Sequence, residues 1–545
     1  MLKKIKYALL TLAAAVTVSA CQGFLTTPPV GSLSPDGFYD SPAHVESGVL
    51  GVYSLLRDIE LNQYLLLSEE RSDNMWVDPL ANGIRSCSEV SNFRFGSDMS
   101  DLNSLWASWY SLINNANSVL ENSAETAFAD EAMKDQFRGE LYFLRGYAHF
   151  ELARIFGNVP IVEKVLSVAE SQELGQSSPA DVIAFAIADL KKAEELLPYE
   201  NGIKNSKGAA IGGAGRVDKV VAQAMLARAY MTLKGYPFND ASAKANAKSY
   251  LEKVLNYSAS NGDKYWAPTI TEWKKQWLTD PSIANKYQIF SIQHTLLNGN
   301  GLTGSESGTS LTQEYLPKGG GGGSMTPAYI DALLRYDYVK DNDPRGLGDY
   351  FMDGYKAYGA TTTDYSNEKI DLTLEDGTKV ESYALSINTK FLPFLQKHEA
   401  VGMSFDYDQL GGWPVNFPVI RLEDMMLLYA EILAEDNDVA GALAQVNKIR
   451  NRAGIPAATA SSSAEALKAV KNERRLEFFL EGIRWFDEIR YNEWEASTRA
   501  HYARYAATHG EGVAEGNIKA GKYLCPIPDD QLKARPGLYS QNPDW

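Results

Sequence analysis

Three carboxylates near the start of the chain are the first side chains that could do chemistry. Glu69, Glu70 and Asp73 fall within one short segment, and a pair of carboxyl groups on either side of a glycosidic bond can hydrolyse it. The chain carries 69 acidic and 52 basic residues, a formal charge of −17. Because acidic side chains are mostly solvated at the surface, we favour a surface role for these three. A hydrolytic acid pair is kept as the distant alternative.

Other catalytic motifs are missing from the sequence. None of the six histidines stands in a His-Glu-x-x-His zinc motif. Residues 304–308 have Glu306 where a Gly-x-Ser-x-Gly nucleophile elbow needs serine. The glycines at 319–323 lack the Lys-Ser/Thr that closes a phosphate-binding loop. We therefore predict no catalytic residue, no cofactor and no metal site.

The first 20 residues have the layout of an export signal. Three lysines precede an apolar run from Ala8 to Val18, which is too short to span a bilayer. Residues 18–21, Val-Ser-Ala-Cys, resemble the cleavage box of bacterial lipoproteins, whose cysteine is acylated. We predict that residues 1–20 are a signal peptide and that Cys21 carries a lipid anchor. An ordinary signal peptide with a chance cysteine is the alternative.

Charge and cysteine content narrow the possible partners. A strongly negative protein does not neutralise phosphates, so we predict no nucleic-acid partner. No second long apolar stretch follows the leader, which predicts a body beside a membrane and not within one. Cys87 and Cys525 are the only cysteines besides Cys21. They cannot build a disulfide framework, and whether they pair is left open.

Two long stretches place apolar residues every three or four positions, which predicts two amphipathic helices. Gly157 is the expected stop of the second helix. We expect the two helices to pack antiparallel with both tryptophans in the core. The first stripe contains Leu102, Trp106, Trp109, Ile113, Ala116 and Leu120, and the second contains Phe137, Leu141, Leu144, Ala148, Leu152 and Ile155.

Further helix pairs have the length and small contact residues of tetratricopeptide hairpins. One pair covers residues 218–233 and 243–254, on either side of a Gly-Tyr-Pro break. Another covers residues 422–434 and 439–452 and closes at Gly454. The sequence therefore predicts a mostly α fold with stacked helical hairpins as its scaffold.

A capping-box pattern at Ser462 and Glu465 opens one more predicted helix. This helix is predicted to continue without a break through the inward-facing residues Leu476, Phe479, Leu480, Ile483 and Phe486.

The middle of the chain differs from both ends. Residues 259–420 hold turn-forming residues, a Gly/Ser-rich run at 298–324 and a predicted strand at 287–293. We predict a single domain over residues 21–545, in which a helical half at 21–258 and a helical tail at 421–545 flank this loop-rich insert.

Several short motifs follow one another in the order found in SusD-like (RagB/SusD) surface lipoproteins of Bacteroidetes. The chain resembles that family over nearly its whole mature length. The motifs are Cys21 to Leu25, Gly37-Phe38-Tyr39, Gly51-Val52-Tyr53, Trp109 to Asn117, Gly139 to Gly146, Phe156 to Pro160, Asp189 to Pro198, Gly215-Arg216-Val217, Asp343-Pro344-Arg345, Val419-Ile420-Arg421, Tyr429-Ala430-Glu431, Val446 to Gly454, Glu473-Arg474-Arg475, Glu481 to Trp485, Pro526-Ile527-Pro528 and Gln541-Asn542-Pro543.

The resemblance implies a non-catalytic binding protein on the outer face of the outer membrane. It would capture oligosaccharides and pass them to a SusC-like TonB-dependent transporter for import. The motif arginines recur in helices beside carboxylates such as Glu140 and Glu481, so we interpret them as structural ion-pair partners. These arginines are Arg145, Arg216, Arg450, Arg452 and Arg484.

A glycan site needs aromatic platforms together with Asp, Asn and Arg side chains on loops. The segment Asp73, Asn74, Trp76 and Arg85 meets that need, at the place where the family carries such residues. The alternative is that Trp76 packs the loop onto helices and Asp73 caps a turn.

A second set of platform candidates comes from the middle region. Tyr355, Tyr358 and Trp413 lie beside glycines in loop-like sequence. We assign Trp273 and Trp277 to the core instead. Two other functions stay open: the same architecture binding oligopeptides, as in the RagB branch of the family, and the surface glycoside hydrolase.

Overall fold

The structure is a computed structural model, and it describes residues 35–59, 65–77, 89–212, 215–277, 285–293, 328–347, 369–373, 377, 379–383, 416–509 and 515–545. Within these ranges the protein is mostly helical, as predicted. None of the helices found there has the length and apolar content needed to cross a lipid bilayer.

Eighteen helices and six short strands are bounded within the described ranges. The helices are α1 (Pro35–Phe38), α2 (Pro42–Ile59), α3 (Leu65–Ser68), α4 (Ser100–Asn122), α5 (Glu131–Phe156), α6 (Val168–Glu173), α7 (Pro179–Leu196), α8 (Lys219–Lys234), α9 (Ala243–Ser260), α10 (Ile270–Lys274), α11 (Ala332–Lys340), α12 (Pro344–Leu347), α13 (Leu422–Glu435), α14 (Val439–Ala453), α15 (Ser463–Glu477), α16 (Arg484–Arg490), α17 (Trp494–His509) and α18 (Asp529–Ala534). The strands are β1 (Met75–Val77), β2 (Gln288–Ile292), β3 (Ala328–Ile330), β4 (Lys369–Thr373), β5 (Lys379–Tyr383) and β6 (Phe417–Arg421).

The first predicted helix pair is confirmed as α4 and α5. Trp106 near the start of α4 contacts Phe156 at the end of α5, and Trp109 contacts Tyr147 one step further in. Contacts that pair the start of one helix with the end of the other show that the two run antiparallel. Both tryptophans are buried in the core. Gly157 ends α5 with a φ of 73°, a conformation that glycine adopts without steric cost.

The hairpin of α8 and α9 is also confirmed. Asp218 caps α8 by accepting a hydrogen bond from the Val221 backbone, and the small residues Ala222 and Ala229 are fully buried on its core side. α7 packs against α5 on one side and α8 on the other, and α9 contacts α13. The helical scaffold therefore runs continuously from α4 to α13.

The C-terminal helices begin as predicted and then depart from the prediction. α13 and α14 form the expected hairpin, and Gly454 closes it in the left-handed conformation. The Ser462 hydroxyl accepts from the Glu465 backbone, but the Glu465 carboxylate accepts from Ser461, one residue before the helix cap. Only the first half of the capping box is therefore formed.

The single helix predicted through residue 486 is wrong. α15 ends at Glu477, and Leu480 and Gly482 take φ values of 62° and 70°, which no right-handed helix contains. Buried Phe479 and Leu480 lie in the turn between α15 and α16. Two helices joined by a turn can bury apolar residues at the same spacing as one continuous helix. Periodicity alone does not distinguish the two arrangements.

Each of the described strands pairs with one other strand, always antiparallel. β1 pairs with β3, which places Trp76 opposite Tyr329. β2 confirms the strand predicted in the middle region, and it pairs with β6. β4 pairs with β5. β3 of the predicted insert thus pairs with the first part of the chain, whereas β2 pairs with a strand at the C-terminal end of the insert itself. The division into 21–258, 259–420 and 421–545 stays a prediction.

One large apolar core includes residues from α2 to the C-terminal segment, and a smaller cluster lies beside it. Trp273 is buried and donates its indole N–H to Glu477 at 3.0 Å, so its assignment to the core is confirmed. The side chain of Trp277 lies outside the described residues. The smaller cluster contains Phe93, Trp485, Ile489, Trp494, Tyr502 and Ile518.

Candidate functional site

Of the predicted ligand contacts, Asp73 and Asn74 are described with their side chains, and Trp76 is described as a residue of β1. Arg85, Tyr355, Tyr358 and Trp413 lie outside the described residues, as does Cys21. The site is therefore built from the segments that lead into those residues.

Asp73 is an ion-pair partner inside the protein. Its carboxylate accepts two hydrogen bonds from Arg484, at 2.8 and 2.9 Å, and lies 3.4 Å from Arg475. Burial by itself raises the pKa of Asp73, but the charges of Arg475 and Arg484 outweigh it and hold that pKa below its usual value. Burial and the Asp73 charge raise the pKa of neighbouring Glu488. A ligand could bind the Asp73 carboxylate only by displacing Arg484 from it.

The Asn74 side chain is also hydrogen-bonded within the protein. Its side-chain amide donates to Glu69 at 2.7 Å, and its oxygen accepts from Arg475 at 2.9 Å. The Asn74 backbone oxygen accepts from Asp331 at 2.8 Å. Glu69 also accepts from the Leu480 backbone at 3.0 Å.

The surface role predicted for Glu69, Glu70 and Asp73 is wrong, because all three are buried. A buried carboxylate must be paired or hydrogen-bonded: the Asn74 amide is a partner of Glu69, and Arg475 and Arg484 are partners of Asp73.

Asp331 connects this segment to the middle and end of the chain. It lies between β3 and α11 and accepts from Arg475 at 3.1 Å, from Arg504 at 2.9 Å and pairs with His501 at 3.1 Å. Burial raises its pKa, but the His501 hydrogen bond and the Arg504 and Arg475 charges hold the pKa of Asp331 well below its usual value.

A second set of ion pairs lies around Arg345. Its guanidinium donates to Asp343 at 2.6 Å, to Glu473 at 2.6 Å and to Glu477 at 2.8 Å. Arg345 is fully buried. The segment containing α11 and α12 is therefore fastened to the end of α15.

Arg421, the last residue of β6, is fastened to the same place. It donates to Glu477 at 2.8 Å and, through two nitrogens, to Glu481 at 2.8 and 2.9 Å. Arg452 of α14 donates to Glu477 at 2.6 Å and also to Glu423. Burial raises the pKa of Glu477, but these arginines together with Arg345 hold it well below its usual value.

These pairs converge on residues 473–488, which we call the anchor segment. Three stretches from distant parts of the chain are bonded to it: 69–77, 328–347 and 416–421. Arg85 follows the first stretch in sequence, Tyr355 and Tyr358 follow the second, and Trp413 precedes the third. Each predicted contact that lies outside the described residues therefore neighbours, in sequence, a stretch that is bonded to the anchor segment.

The structural role predicted for the motif arginines is confirmed. Arg145 pairs with Asp189, Arg216 with Glu140 and Glu46, Arg450 with Glu473 and Asp341, Arg452 with Glu423 and Glu477, and Arg484 with Asp73 and Glu488. Glu481 pairs with Arg421.

Arg71 is held without a carboxylate contact among the described residues. Its guanidinium lies 4.4 Å from the Trp485 ring centroid and donates to the Cys525 sulfur at 3.1 Å and the Lys522 carbonyl at 2.6 Å. Burial raises the pKa of the Cys525 thiol. Cys525 is a free thiol, and Cys87 lies outside the described residues.

Sequence reasoning missed the anchor segment as a functional support. Its charges appear in the motifs quoted above, but nothing in their spacing says that Arg345, Arg421 and Arg475 meet. The available signal was the density of arginine and glutamate inside apolar helical sequence. In the described ranges, no three His, Cys, Asp or Glu side chains are grouped so that they could hold a metal ion.

Comparison with known families decides where this architecture belongs. A family model described as "SusD family" matches residues 201–545, well over half of the chain. The chain belongs to the SusD family. A second model, described as "Starch-binding associating with outer membrane", matches residues 31–231. Together the two models cover residues 31–545.

Other SusD-like proteins match along almost the full length. SusD-like protein P38 of Formosa agariphila is 23% identical over 513 residues, covering 90% of this chain and 92% of that protein. The crystal structure of a SusD homolog from Bacteroides thetaiotaomicron has a TM-score of 0.71 at 20% identity, covering 95% of this chain and 99% of that one. Surface glycan-binding protein A of Bacteroides fluxus has a TM-score of 0.65 at 22% identity, covering 92% and 99%. The fold is therefore the SusD fold.

Proposed function

We propose that this protein captures oligosaccharides at the outer-membrane surface without catalysis and delivers them to a SusC-like TonB-dependent transporter. Its membership of the SusD family supports this proposal, as does the outer-membrane association named by the second family model. The fold is shared with a protein named for surface glycan binding.

The convergence of three segments on residues 473–488 carries the proposal. Binding residues in proteins are typically on loops that a rigid scaffold positions. Buried arginine–carboxylate pairs with two or more hydrogen bonds are directional as well as strong, so they set where each loop leaves the scaffold. Such an arrangement suits a site assembled from distant loops.

We propose that Trp76, Tyr355, Tyr358 and Trp413 supply stacking platforms and that Arg85 donates to sugar hydroxyls. Asp73 and Asn74 are bonded to arginines of α15 and α16. Their proposed contribution to ligand binding is to hold the segment that leads into Trp76 and Arg85.

Calorimetry on the mature chain from Gln22 onward tests the binding proposal, with a panel of neutral oligosaccharides and a panel of oligopeptides. Saturable binding to at least one glycan is expected. Trp76→Ala and Trp413→Ala should each weaken it about tenfold, the effect of losing an aromatic contact worth about 1.4 kcal/mol. Tyr199→Ala is the matched control, because Tyr199 is an exposed aromatic that stacks on Tyr257 of the scaffold.

Binding to peptides alone would contradict the glycan proposal and favour the oligopeptide alternative. Release of shortened sugars, lost on substitution of one carboxylate, would instead favour the hydrolase. Equal affinity of Trp76→Ala, Trp413→Ala and Tyr199→Ala would reject the proposed platforms while leaving glycan binding intact.

Delivery and anchoring need separate measurements. The native chain should carry a lipid on Cys21, detectable by mass spectrometry, and should co-purify from outer membranes with a TonB-dependent barrel. Cys21→Ala should abolish the lipid and uptake of the glycan. Undiminished uptake by the Cys21→Ala strain would contradict the proposed anchoring role.

A further inference from the structure

A cavity lies within the helical scaffold, and neither Asp73 nor Asn74 is among the residues that line it. It is bounded by the end of α5, by α8 and the loop that follows it, by α13 and α16, and by residues 523–524.

The walls of the cavity are largely apolar and aromatic. Half-buried rings from Tyr236, Phe238, Phe486 and Tyr523 line it. The loop that carries Tyr236 and Phe238 is held against α16, because the Tyr236 backbone donates to the Arg490 carbonyl at 3.0 Å. The pocket wall is therefore fastened in place.

The charged residues that line the cavity are compensated by carboxylates within the lining and next to it. Arg474 donates to Asp424 at 2.8 Å and to Asp487 at 2.7 Å. Arg228 donates to Asp424 at 2.7 Å, and Arg490 donates to Asp487 at 2.8 Å. An ionic ligand would meet no uncompensated opposite charge here and would lose its hydration. The pocket therefore selects a neutral molecule.

Arg154, the remaining cation of the lining, pairs with Glu151 at 2.7 Å, and its guanidinium lies 3.7 Å from the Phe486 ring centroid. It is therefore also compensated, and one face of Phe486 is already covered.

Two hydroxyl groups in the lining are left for a ligand. Among the described residues, neither the Tyr236 nor the Tyr523 hydroxyl has a hydrogen-bond partner, and the two rings contact each other edge to face with centroids 5.6 Å apart. Burial, followed by the proximity of Tyr236, raises the pKa of Tyr523 to about 12, so the Tyr523 phenol is protonated at neutral pH.

We propose that this cavity is a second binding site, for a neutral and mostly apolar ring compound that carries one or two hydroxyl or carbonyl groups. Aromatic walls would stack on the ring, and the Tyr236 and Tyr523 hydroxyls would bond its oxygens. A sugar does not fit this chemistry, since most of its hydroxyls would be buried without partners. The site is independent of the glycan function proposed above.

Ligand-observed NMR and calorimetry on the mature chain test the proposal with three probes: 2-naphthol, 2-naphthoate and maltose. Saturable binding of 2-naphthol is expected, with 2-naphthoate at least tenfold weaker and no competition by maltose. The double change Tyr236→Phe with Tyr523→Phe keeps both rings and should weaken 2-naphthol at least fivefold. Thr232→Trp, which places an indole into the cavity from α8, should abolish binding.

Tyr199→Phe serves as the control, since it removes an exposed hydroxyl far from the cavity lining. Circular dichroism should show each variant folded. Absence of saturable 2-naphthol binding, equal binding by the Thr232→Trp variant, or an unchanged affinity in the double Tyr→Phe variant would each overturn the proposal. Failure of glycan binding would leave it standing, because none of these measurements uses the loop residues.

Discussion

The helical scaffold and the anchor segment are held together by different forces. In α4, α5, α8 and α9, apolar stripes bury leucine, alanine and aromatic side chains against neighbouring helices. In residues 473–488, buried arginines and carboxylates join stretches that are hundreds of residues apart. Hydrophobic contact is non-directional, whereas bidentate ion pairs require one geometry. Apolar burial therefore supplies most of the contact within the scaffold, and the ion pairs of the anchor segment fix the stretches 69–77, 328–347 and 416–421 against it.

Removing one arginine from the anchor segment should have the largest effect. Arg345→Met leaves Asp343, Glu473 and Glu477 with one partner fewer each, and breaking a buried ion pair in this way costs about 3–5 kcal/mol. Urea denaturation measures the loss in free energy of unfolding. Lys253→Met is the control: it removes a half-exposed lysine paired with Glu194, and such a pair is worth about 0–1 kcal/mol. Equal losses in the free energy of unfolding for Arg345→Met and Lys253→Met would contradict the distinction between the anchor segment and the scaffold.

Creating a new cavity in the apolar core of the helical scaffold should lower the free energy of unfolding somewhat less. Leu226 is fully buried on α8, and Leu→Ala changes at such sites cost about 2–5 kcal/mol. Leu226→Ala should lower the free energy of unfolding by about 3 kcal/mol. Its affinity for the glycan, measured under conditions in which the variant is fully folded, should be unchanged. A large loss of glycan affinity in a variant that remains folded would show that the scaffold also sets the loop positions.

Two buried carboxylates of the helical scaffold should respond to pH in opposite directions. Burial raises the pKa of Glu431, but Arg490 and Lys234 lower it to about 2. A carboxylate with a lowered folded-state pKa stabilises above its unfolded pKa of about 4.3, and this stability is lost as pH falls towards 2. Asp218 caps α8 with no cation paired to it in the described residues, and burial raises its pKa to about 6. Its charge therefore destabilises the fold above pH 6, and this cost is relieved as pH falls from about 6 to the unfolded-state pKa of about 3.9.

Asp218→Asn should thus stabilise the protein at pH 7 and flatten the rise in stability as pH falls from about 6 to about 4. Glu431→Gln should flatten the fall between pH 4.5 and 2 instead. Unfolding midpoints measured across pH compare the two variants with the parent chain. An Asp218→Asn chain that is less stable than the parent at pH 7 would show that the capping bond outweighs the cost of burying the charge.

The smallest expected effect lies at a helix end. Gly454 closes α14 with a φ of 73°, and a Cβ placed there would meet no atom within 4 Å. Gly454→Ala should therefore cost only backbone strain, about 1–2 kcal/mol, visible as a small decrease in thermal midpoint. A substantially larger loss would mean that the open space around Gly454 is filled in solution.

Much of this molecule was accessible from sequence because its helices follow local rules. The stripes of α4 and α5, the two hairpins and the stop signals at Gly157 and Gly454 depend on neighbours within a few turns, and the structure bears them out. The structural role of Arg145 and Arg216 was also predictable, since each lies in a helical or cap motif with carboxylates available. The error at Glu477 arose where a turn mimics helical spacing, with Leu480 in a left-handed conformation.

The amino-acid sequence by itself determined the helical class, the hairpin order and the family. It also located the segments in which ligand residues are predicted. Only the tertiary structure decided that Asp73 and Asn74 are buried partners of arginines, that Arg345, Arg421 and Arg475 meet on one anchor segment, and that a neutral cavity opens beside Tyr236 and Tyr523. The physical reason is how far apart along the chain the interacting residues lie. Helix periodicity is written in residues a few positions apart, whereas an ion pair between residues 73 and 484 exists only once the whole chain has brought the two together.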